Sequence, residues 1–292
     1  MIIVISGPTG VGKTKLSIEL AKKYNAEIIN GDSMQVYKEL DIATAKITEH
    51  EKENIPHHLF DICDKEDLYT VYDYQKDCRS KIDEITKRNK NIIIVGGTGL
   101  YIKAALYDYQ FKEENNLNNY DDLTNEEILA KIKEYDNEVD IHVNNRKRLI
   151  RLLNKYEQDL ITDKKGNNPL YDFYMIGLTT DRNTLYEKIN SRVDKMVEQG
   201  LIEEAKRLYD NNIHSKAINT GIGYKELYQY FDGNVTLEEA LDLIKKNSRH
   251  YAKRQYTFFK NQFPAINWYN TNYNNFNETI NEIINDIEKV TN

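Results

Sequence analysis

Cysteine is nearly absent from this chain: only Cys63 and Cys78 occur in 292 residues. They form no C-x-x-C pair, and two cysteines in a chain of this length make no disulfide framework, so both are expected as reduced thiols. Long apolar runs are missing too. None approaches the ~18 residues that a bilayer crossing needs, and the apolar N-terminal run has neither a cationic flank nor a small-residue cleavage site. A cytosolic protein without a membrane partner is expected. No internal repeat is visible. Acidic residues are in excess overall, with 47 Asp and Glu against 40 Lys and Arg, a net charge of -7. Yet they vanish locally. No Asp or Glu lies within residues 243–277, which hold Lys245, Lys246, Arg249, Lys253, Arg254 and Lys260, nor within 141–156, which hold Arg146, Lys147, Arg148, Arg151 and Lys155. Two basic blocks on an acidic chain point to a localised surface for a polyanion.

What is present is most specific near the N-terminus. Gly7-Pro8-Thr9-Gly10-Val11-Gly12-Lys13-Thr14 follows the apolar run 2–6 and leads into a helical pattern. It matches G-x-x-x-x-G-K-[ST] completely, in the strand, loop and helix setting that the pattern requires. Its glycines let the backbone wrap a phosphate, the helix start offers unpaired N–H groups and a positive dipole end, Lys13 adds a full charge, and Thr14 can ligate Mg2+. A chance glycine-rich turn is the rival reading.

Apolar runs at 2–6, 27–30, 91–95 and 173–178 alternate with helical patterns, as a buried parallel sheet demands. The expected fold is α/β: a doubly wound, P-loop NTPase-like parallel core over 1–107 and 170–292, with a small, mainly helical insertion over 108–169 and a helical C-terminal region. The spacing predicts insertion helices over 125–135 and 145–159, then helices over 183–199, 202–210 and 237–262. On the last, Lys246, Arg249, Lys253, Tyr256 and Lys260 recur at steps of three and four, a basic stripe with an aromatic in it. A merely solvated face is the alternative. The Asn-rich tail after Trp268 carries no readable signal.

A nucleotide-hydrolysing P-loop protein needs an Asp that closes a later apolar strand and helps hold Mg2+. Here the run 92–95 ends in Gly96-Gly97-Thr98-Gly99 instead. The second strand ends in Asn30-Gly31-Asp32-Ser33, which puts a carboxylate at the same sheet edge as the phosphate loop. Asp32 could ligate metal through water, accept a proton from a nucleophile, or cap the next segment. Thr98 could cap a helix or touch substrate. Adjacent His57 and His58 point apart and have no ligand spacing around them, so packing or capping is expected of them.

Taken together these motifs resemble the tRNA dimethylallyltransferases, or tRNA isopentenyltransferases, from the N-terminus to about Lys260. The matching residues are Gly7-Pro8-Thr9 with Gly12-Lys13-Thr14; Gly31-Asp32-Ser33-Met34-Gln35-Val36-Tyr37 with Asp41-Ile42-Ala43-Thr44-Ala45-Lys46; Pro56-His57-His58-Leu59 with Asp61; and Gly96-Gly97-Thr98-Gly99-Leu100-Tyr101. Arg192-Val193-Asp194-Lys195-Met196 with Gly200-Leu201, Gly221-Ile222-Gly223-Tyr224-Lys225-Glu226 and Ala252-Lys253-Arg254-Gln255 follow in the family's order. The resemblance implies transfer of a dimethylallyl group from dimethylallyl diphosphate to N6 of adenosine 37, beside the tRNA anticodon. It implies that the loop 7–14 grips the donor's diphosphate with Mg2+ on Thr14, and that Lys13, Asp32 and Thr98 are catalytic, with Asp32 as base. Asp32, Ser33, Met34, Gln35, Thr98, Lys147, Arg148, Arg151, Arg249, Lys253 and Arg254 are implied to contact the anticodon stem-loop, and Tyr37, Tyr101 and Tyr224 could stack on a base. A monomer is expected.

Two positions depart from the family pattern: Lys225 stands where many members have an Arg that reaches the diphosphate, and Ile141-His142-Val143-Asn144 where the family often has Ile-His-Pro-Asn. Lysine keeps the charge and loses the bidentate fork. Three rivals remain at this level. They are an adenylate isopentenyltransferase, a small-molecule kinase on the same fold, and a non-catalytic RNA-binding protein with a relic loop.

Overall fold

The computed structural model describes residues 1–111, 117–160 and 166–291. Residues 112–116 and 161–165 of the expected insertion lie outside the described residues.

Among the described residues six parallel strands form one sheet in the order β3-β2-β4-β1-β5-β6. They are β1 (Ile2–Ser6), β2 (Ala26–Asn30), β3 (His57–His58), β4 (Asn91–Val95), β5 (Phe173–Thr179) and β6 (Asn267–Asn270). Alternate side chains of each strand feed opposite faces, so both faces must be apolar and the runs read as continuous. Ile2 and Val4 pack with Ile92, Ile94, Tyr74, Ile82 and Phe259 on one side. Ile3 and Ile5 pack with Ile28, Ile93, Leu16, Leu20 and Ile283 on the other. Helices α1 (Lys13–Tyr24) and α3 (Gly99–Leu106) follow the inner strands β1 and β4, and α2 (Val71–Lys87) connects the edge strand β3 to β4.

Contacts divide the chain into two compact units, Met1–Tyr107 with Pro169–Asn292, and Asp108–Asn168. The second unit is built on α4 (Asn125–Tyr135) and α5 (Arg146–Glu157), which enclose Ile128, Ile132, Leu149 and Leu153. Thr124 forms a capping box with Glu127, which explains why α4 starts where the pattern predicts. In the first unit α6 (Arg182–Glu198), α7 (Leu201–Asp210), α8 (Lys216–Thr220), α9 (Tyr224–Phe231) and α10 (Leu237–Gln262) gather around Val36, Leu40 and Tyr224.

The tail that looked uninformative forms β6 and α11 (Phe276–Thr291). β6 is only Asn-Trp-Tyr-Asn, and its extended state comes from pairing with β5 at the sheet edge. α11 covers a sheet face with Ile280, Ile283 and Ile287, a periodicity legible in the sequence yet hidden among asparagines. His57 and His58 supply β3. His58 Nε2 lies 2.7 Å from the Glu27 carboxylate and His57 Nδ1 2.7 Å from the Ile55 carbonyl.

Candidate active site

Three loops leave the carboxyl ends of β1, β2 and β4 side by side, the edge where open α/β sheets bind ligands. The first is the phosphate loop. Gly7 has φ +132°, and a Cβ there would lie 2.3 Å from the Leu178 carbonyl oxygen, so the chain passes only without a side chain. Gly12, at φ 91°, turns the loop into α1 as its N-cap. Lys13 folds back over the loop and donates to the carbonyls of Gly7 (3.0 Å) and Pro8 (2.7 Å).

The second loop carries Asp32. Buried Asn30 shapes it: its Nδ2 donates to the carbonyls of Asp32 and Leu59, each at 3.0 Å, and its Oδ1 accepts the Asp32 N–H at 2.9 Å. The Asp32 carboxylate accepts the Met34 N–H at 2.9 Å, so the capping role and the free-carboxylate role meet in one residue. The third loop is tied to the second. Thr98 N–H meets the Gly31 carbonyl at 3.1 Å, the Thr98 hydroxyl accepts the Ser33 N–H at 3.0 Å, and it donates to the Ser33 hydroxyl at 3.2 Å. Thr98 stands at the N-cap of α3 but makes no side-chain cap bond there; its hydroxyl is turned to Ser33.

A cavity of about 670 Å³ opens over these loops. Of the residues singled out in the sequence, Thr9, Gly10, Gly12, Lys13, Thr14, Asp32, Ser33, Met34, Gln35, Lys225 and Arg254 line it. Among the described residues Lys13, Lys188, Arg192, Lys195, Lys225 and Arg254 line it as cations, and Asp32 as its carboxylate. A protein of net charge -7 has thus concentrated positive charge in one concavity.

Charge and burial work against each other there. Burial first, then the neighbouring Arg192 guanidinium, lower the Lys13 ammonium from 10.5 to about 7, while Asp32 opposes the change. Burial raises the Asp32 carboxyl above its ordinary value, and the Met34 N–H, Lys13 and Arg192 pull it back. Burial also pulls Arg192 below its ordinary range, with Asp32 opposing. Burial and the Asp32 charge push the Tyr251 hydroxyl up to about 12, so it stays protonated at neutral pH.

The sequence placed Arg192 in a motif without a role. Its Nη1 donates to the Thr9 hydroxyl at 2.9 Å. Gln255 and Tyr251 were likewise unassigned. All three arrive from helices far along the chain, so only a motif match could have flagged them.

Some expected site residues lie outside the cavity, and others line it but hold contacts to the protein itself. Arg249 donates to Asn190 at 2.6 Å and lies over the Tyr186 ring, while Lys253 and Arg254 line a groove on α10 with His250, Thr257 and Phe258. Lys147, Arg148 and Arg151 are exposed on α5 in the second unit. Gln35 spends its amide on the carbonyls of Thr44 (3.0 Å) and Ala45 (3.2 Å). Lys225 lies 3.5 Å from the carboxylate of buried Glu226. Tyr37, Tyr101 and Tyr224 are core residues, 5%, 6% and 0% exposed, with Tyr101 stacked on Tyr74, which removes them as stacking platforms for a base.

Comparison with known proteins agrees with this geometry. The profile of the family described as IPP transferase matches residues 35–262. A tRNA dimethylallyltransferase of Anoxybacillus flavithermus is 48% identical over 300 residues, 98% of this chain and 96% of the relative. One from Bacillus subtilis is 49% identical over 92% of this chain and 90% of its own length. The crystal structure of a full-length tRNA isopentenylpyrophosphate transferase from Bacillus halodurans superposes with a TM-score of 0.79 at 43% identity, covering 99% of this chain and 95% of that one. A eukaryotic dimethylallyltransferase captured acting on tRNA gives 0.78 at 29% identity, over 92% of this chain and 73% of its own. With likeness of this depth running from the phosphate loop to the last helix, the chain belongs to the IPP transferase family.

Proposed function

We propose that this protein transfers a dimethylallyl group from dimethylallyl diphosphate to N6 of adenosine 37 in tRNA. The observation that carries the reading is one cavity in which a half-buried carboxylate, Asp32, faces a phosphate loop reinforced by Lys13 and Arg192. The exocyclic amine of adenine is a weak nucleophile because its lone pair is delocalised into the ring. Asp32 accepts its proton as N6 bonds to C1 of the donor; the C1–O bond breaks and its electron pair leaves with diphosphate. Loop N–H groups, Lys13 and Arg192 meet the charge that grows on the leaving group, where fixed dipoles and charges contribute most. No triphosphate is hydrolysed, which accounts for a β4 that ends in Gly96-Gly97 rather than an acid.

Mg2+ fits this loop in the manner of P-loop sites. Among the described residues no cluster of three His, Cys, Asp or Glu forms a cage, whereas Thr14 offers a hydroxyl on the cavity wall. Mg2+ keeps several waters and is held through few protein oxygens plus substrate phosphates, so Thr14 and the diphosphate would share it. When bound it would neutralise leaving-group charge.

For the acceptor, the reading uses exposed Lys147, Arg148 and Arg151 on α5, and Lys253 and Arg254 on α10, as phosphate contacts. A base in the anticodon loop must leave its stack to react, a cost of a few kcal/mol that backbone contacts offset. Among the described residues no helix is long and apolar enough to cross a membrane. The reading takes the protein as a monomer working in the cytoplasm.

Labelled dimethylallyl diphosphate incubated in parallel with tRNA, AMP and ATP tests it. Label in tRNA is expected. Label in AMP or ATP alone would move the protein to the free-nucleotide class.

A further inference from the structure

Gln255 sits on α10 directly after Lys253 and Arg254 and is only 5% exposed. Its amide is used at both ends. Oε1 accepts the Thr9 N–H at 3.0 Å, and Nε2 donates to the Gly97 carbonyl at 3.1 Å. Thr9 belongs to the phosphate loop. Gly97 immediately precedes Thr98, whose hydroxyl and N–H hold the Asp32 loop through Ser33 and Gly31. The amide lies hard against the chain at Gly97, where a Cβ would fall 2.0 Å from Nε2. One side chain therefore joins the leaving-group cradle to the turn on which the carboxylate depends.

The chemistry asks for glutamine. One end must accept and the other must donate, within a neutral head group that can be buried without the cost of a charge. Glutamate would set an oxygen against the Gly97 carbonyl, methionine would fill the space and make neither bond, and asparagine is one carbon short.

We propose that Gln255 is a positioning residue, which holds the phosphate loop and the Asp32–Thr98 pair at the separation that group transfer needs. It touches neither reactant in this role. Its effect is on geometry: a displacement of about 1 Å between donor and base costs on the order of a hundredfold in rate, since reacting atoms must be held near contact. A second consequence concerns the cradle itself. The Thr9 N–H is already taken by Gln255, so the loop's phosphate donors begin after Thr9.

The assignment rests on the prenyl-transfer reading, and the experiment separates the two. Gln255→Met and Gln255→Ala are compared with the unaltered protein in steady-state transfer to tRNA and in calorimetric titration with inorganic diphosphate. Expected for Gln255→Met are a kcat lower by roughly a hundredfold, a KM for tRNA within about twofold, and diphosphate bound about tenfold more weakly at unchanged stoichiometry. A purely structural role would lower the number of binding sites and kcat in proportion while leaving affinity alone, so the stoichiometry distinguishes it even where a variant folds poorly. Turnover per binding site within about threefold of the unaltered protein in both variants, with unchanged diphosphate affinity, overturns the assignment. If the unaltered protein moves no label to tRNA, the reading of the reaction fails, and Gln255 still stands or falls on the diphosphate titration.

Discussion

The Lys13 ammonium gives the sharpest quantitative handle on the cavity. Burial and Arg192 bring it from 10.5 to about 7, so in the free protein it loses its proton around neutrality. Bound diphosphate places negative charge beside it and restores the proton. The bound form then holds a proton that the free form has lost, so above pH 7 binding takes up a proton and weakens as pH rises. Below pH 7 both forms hold it, and this contribution to affinity is flat. One pH unit above the midpoint is worth about tenfold, so affinity for inorganic diphosphate is expected to fall roughly tenfold from pH 6 to pH 8 through Lys13 alone. Isothermal titration calorimetry at four or five pH values measures it. Ionisation of the ligand itself contributes equally to a Lys13→Met variant, so the difference between the two proteins isolates the side chain. In Arg192→Gln, which removes the second-largest cause of the depression, the midpoint should move upward. Identical pH profiles for the unaltered protein and Lys13→Met would refute the reasoning.

Asp32→Asn keeps the Met34 N–H bond and removes the base; turnover should drop by about a hundredfold or more while tRNA still binds, and near-normal turnover would take Asp32 out of that role. Gly7→Ala should cost about 2–4 kcal/mol in denaturant unfolding, because its Cβ meets the Leu178 carbonyl at 2.3 Å. Gly233→Ala, at φ +74° with open space around it, should cost only about 1 kcal/mol, and equal costs would mean that the close approach at Gly7 does not matter. Lys253→Gln should weaken tRNA binding and flatten the plot of log affinity against log salt by roughly 0.7–0.9. Lys245→Gln serves as the comparison, since Lys245 is paired with Asp194 at 2.6 Å, and should leave the slope unchanged.

Legibility followed locality. Strands β1 and β4 could be read to the residue because a strand covered on both faces must be apolar throughout. The helix Asn125–Tyr135 is legible because Ile128, Leu129 and Ile132 recur at helical spacing, and a Thr124–Glu127 capping box fixes its start. β3 could not, since two histidines become a strand only by pairing with Ile28 and Ile29. The insertion was expected over 108–169 and occupies Asp108–Asn168. The spacing on α10 predicts one basic stripe, yet its members have separate fates: Arg249 turns to Asn190 and Tyr186, whereas Lys253 lines a groove. Spacing along a helix fixes which side chains share a face, not what the neighbouring helix offers them.

By itself the sequence determined the phosphate loop, because glycine at the crowded and left-handed positions and a lysine at the helix start are local requirements. It determined a carboxylate at the end of β2 and the parallel core for the same reason. Only the tertiary structure decided what surrounds them. Arg192 reaches Thr9 across 183 residues and Gln255 reaches it across 246. Their contributions exist only once helices α6 and α10 pack over the sheet edge, and so do the burial and charge crowding that bring Lys13 to about 7. Backbone conformation is written in a few neighbouring residues, whereas the electrostatics of a cavity depend on every chain segment that walls it from water.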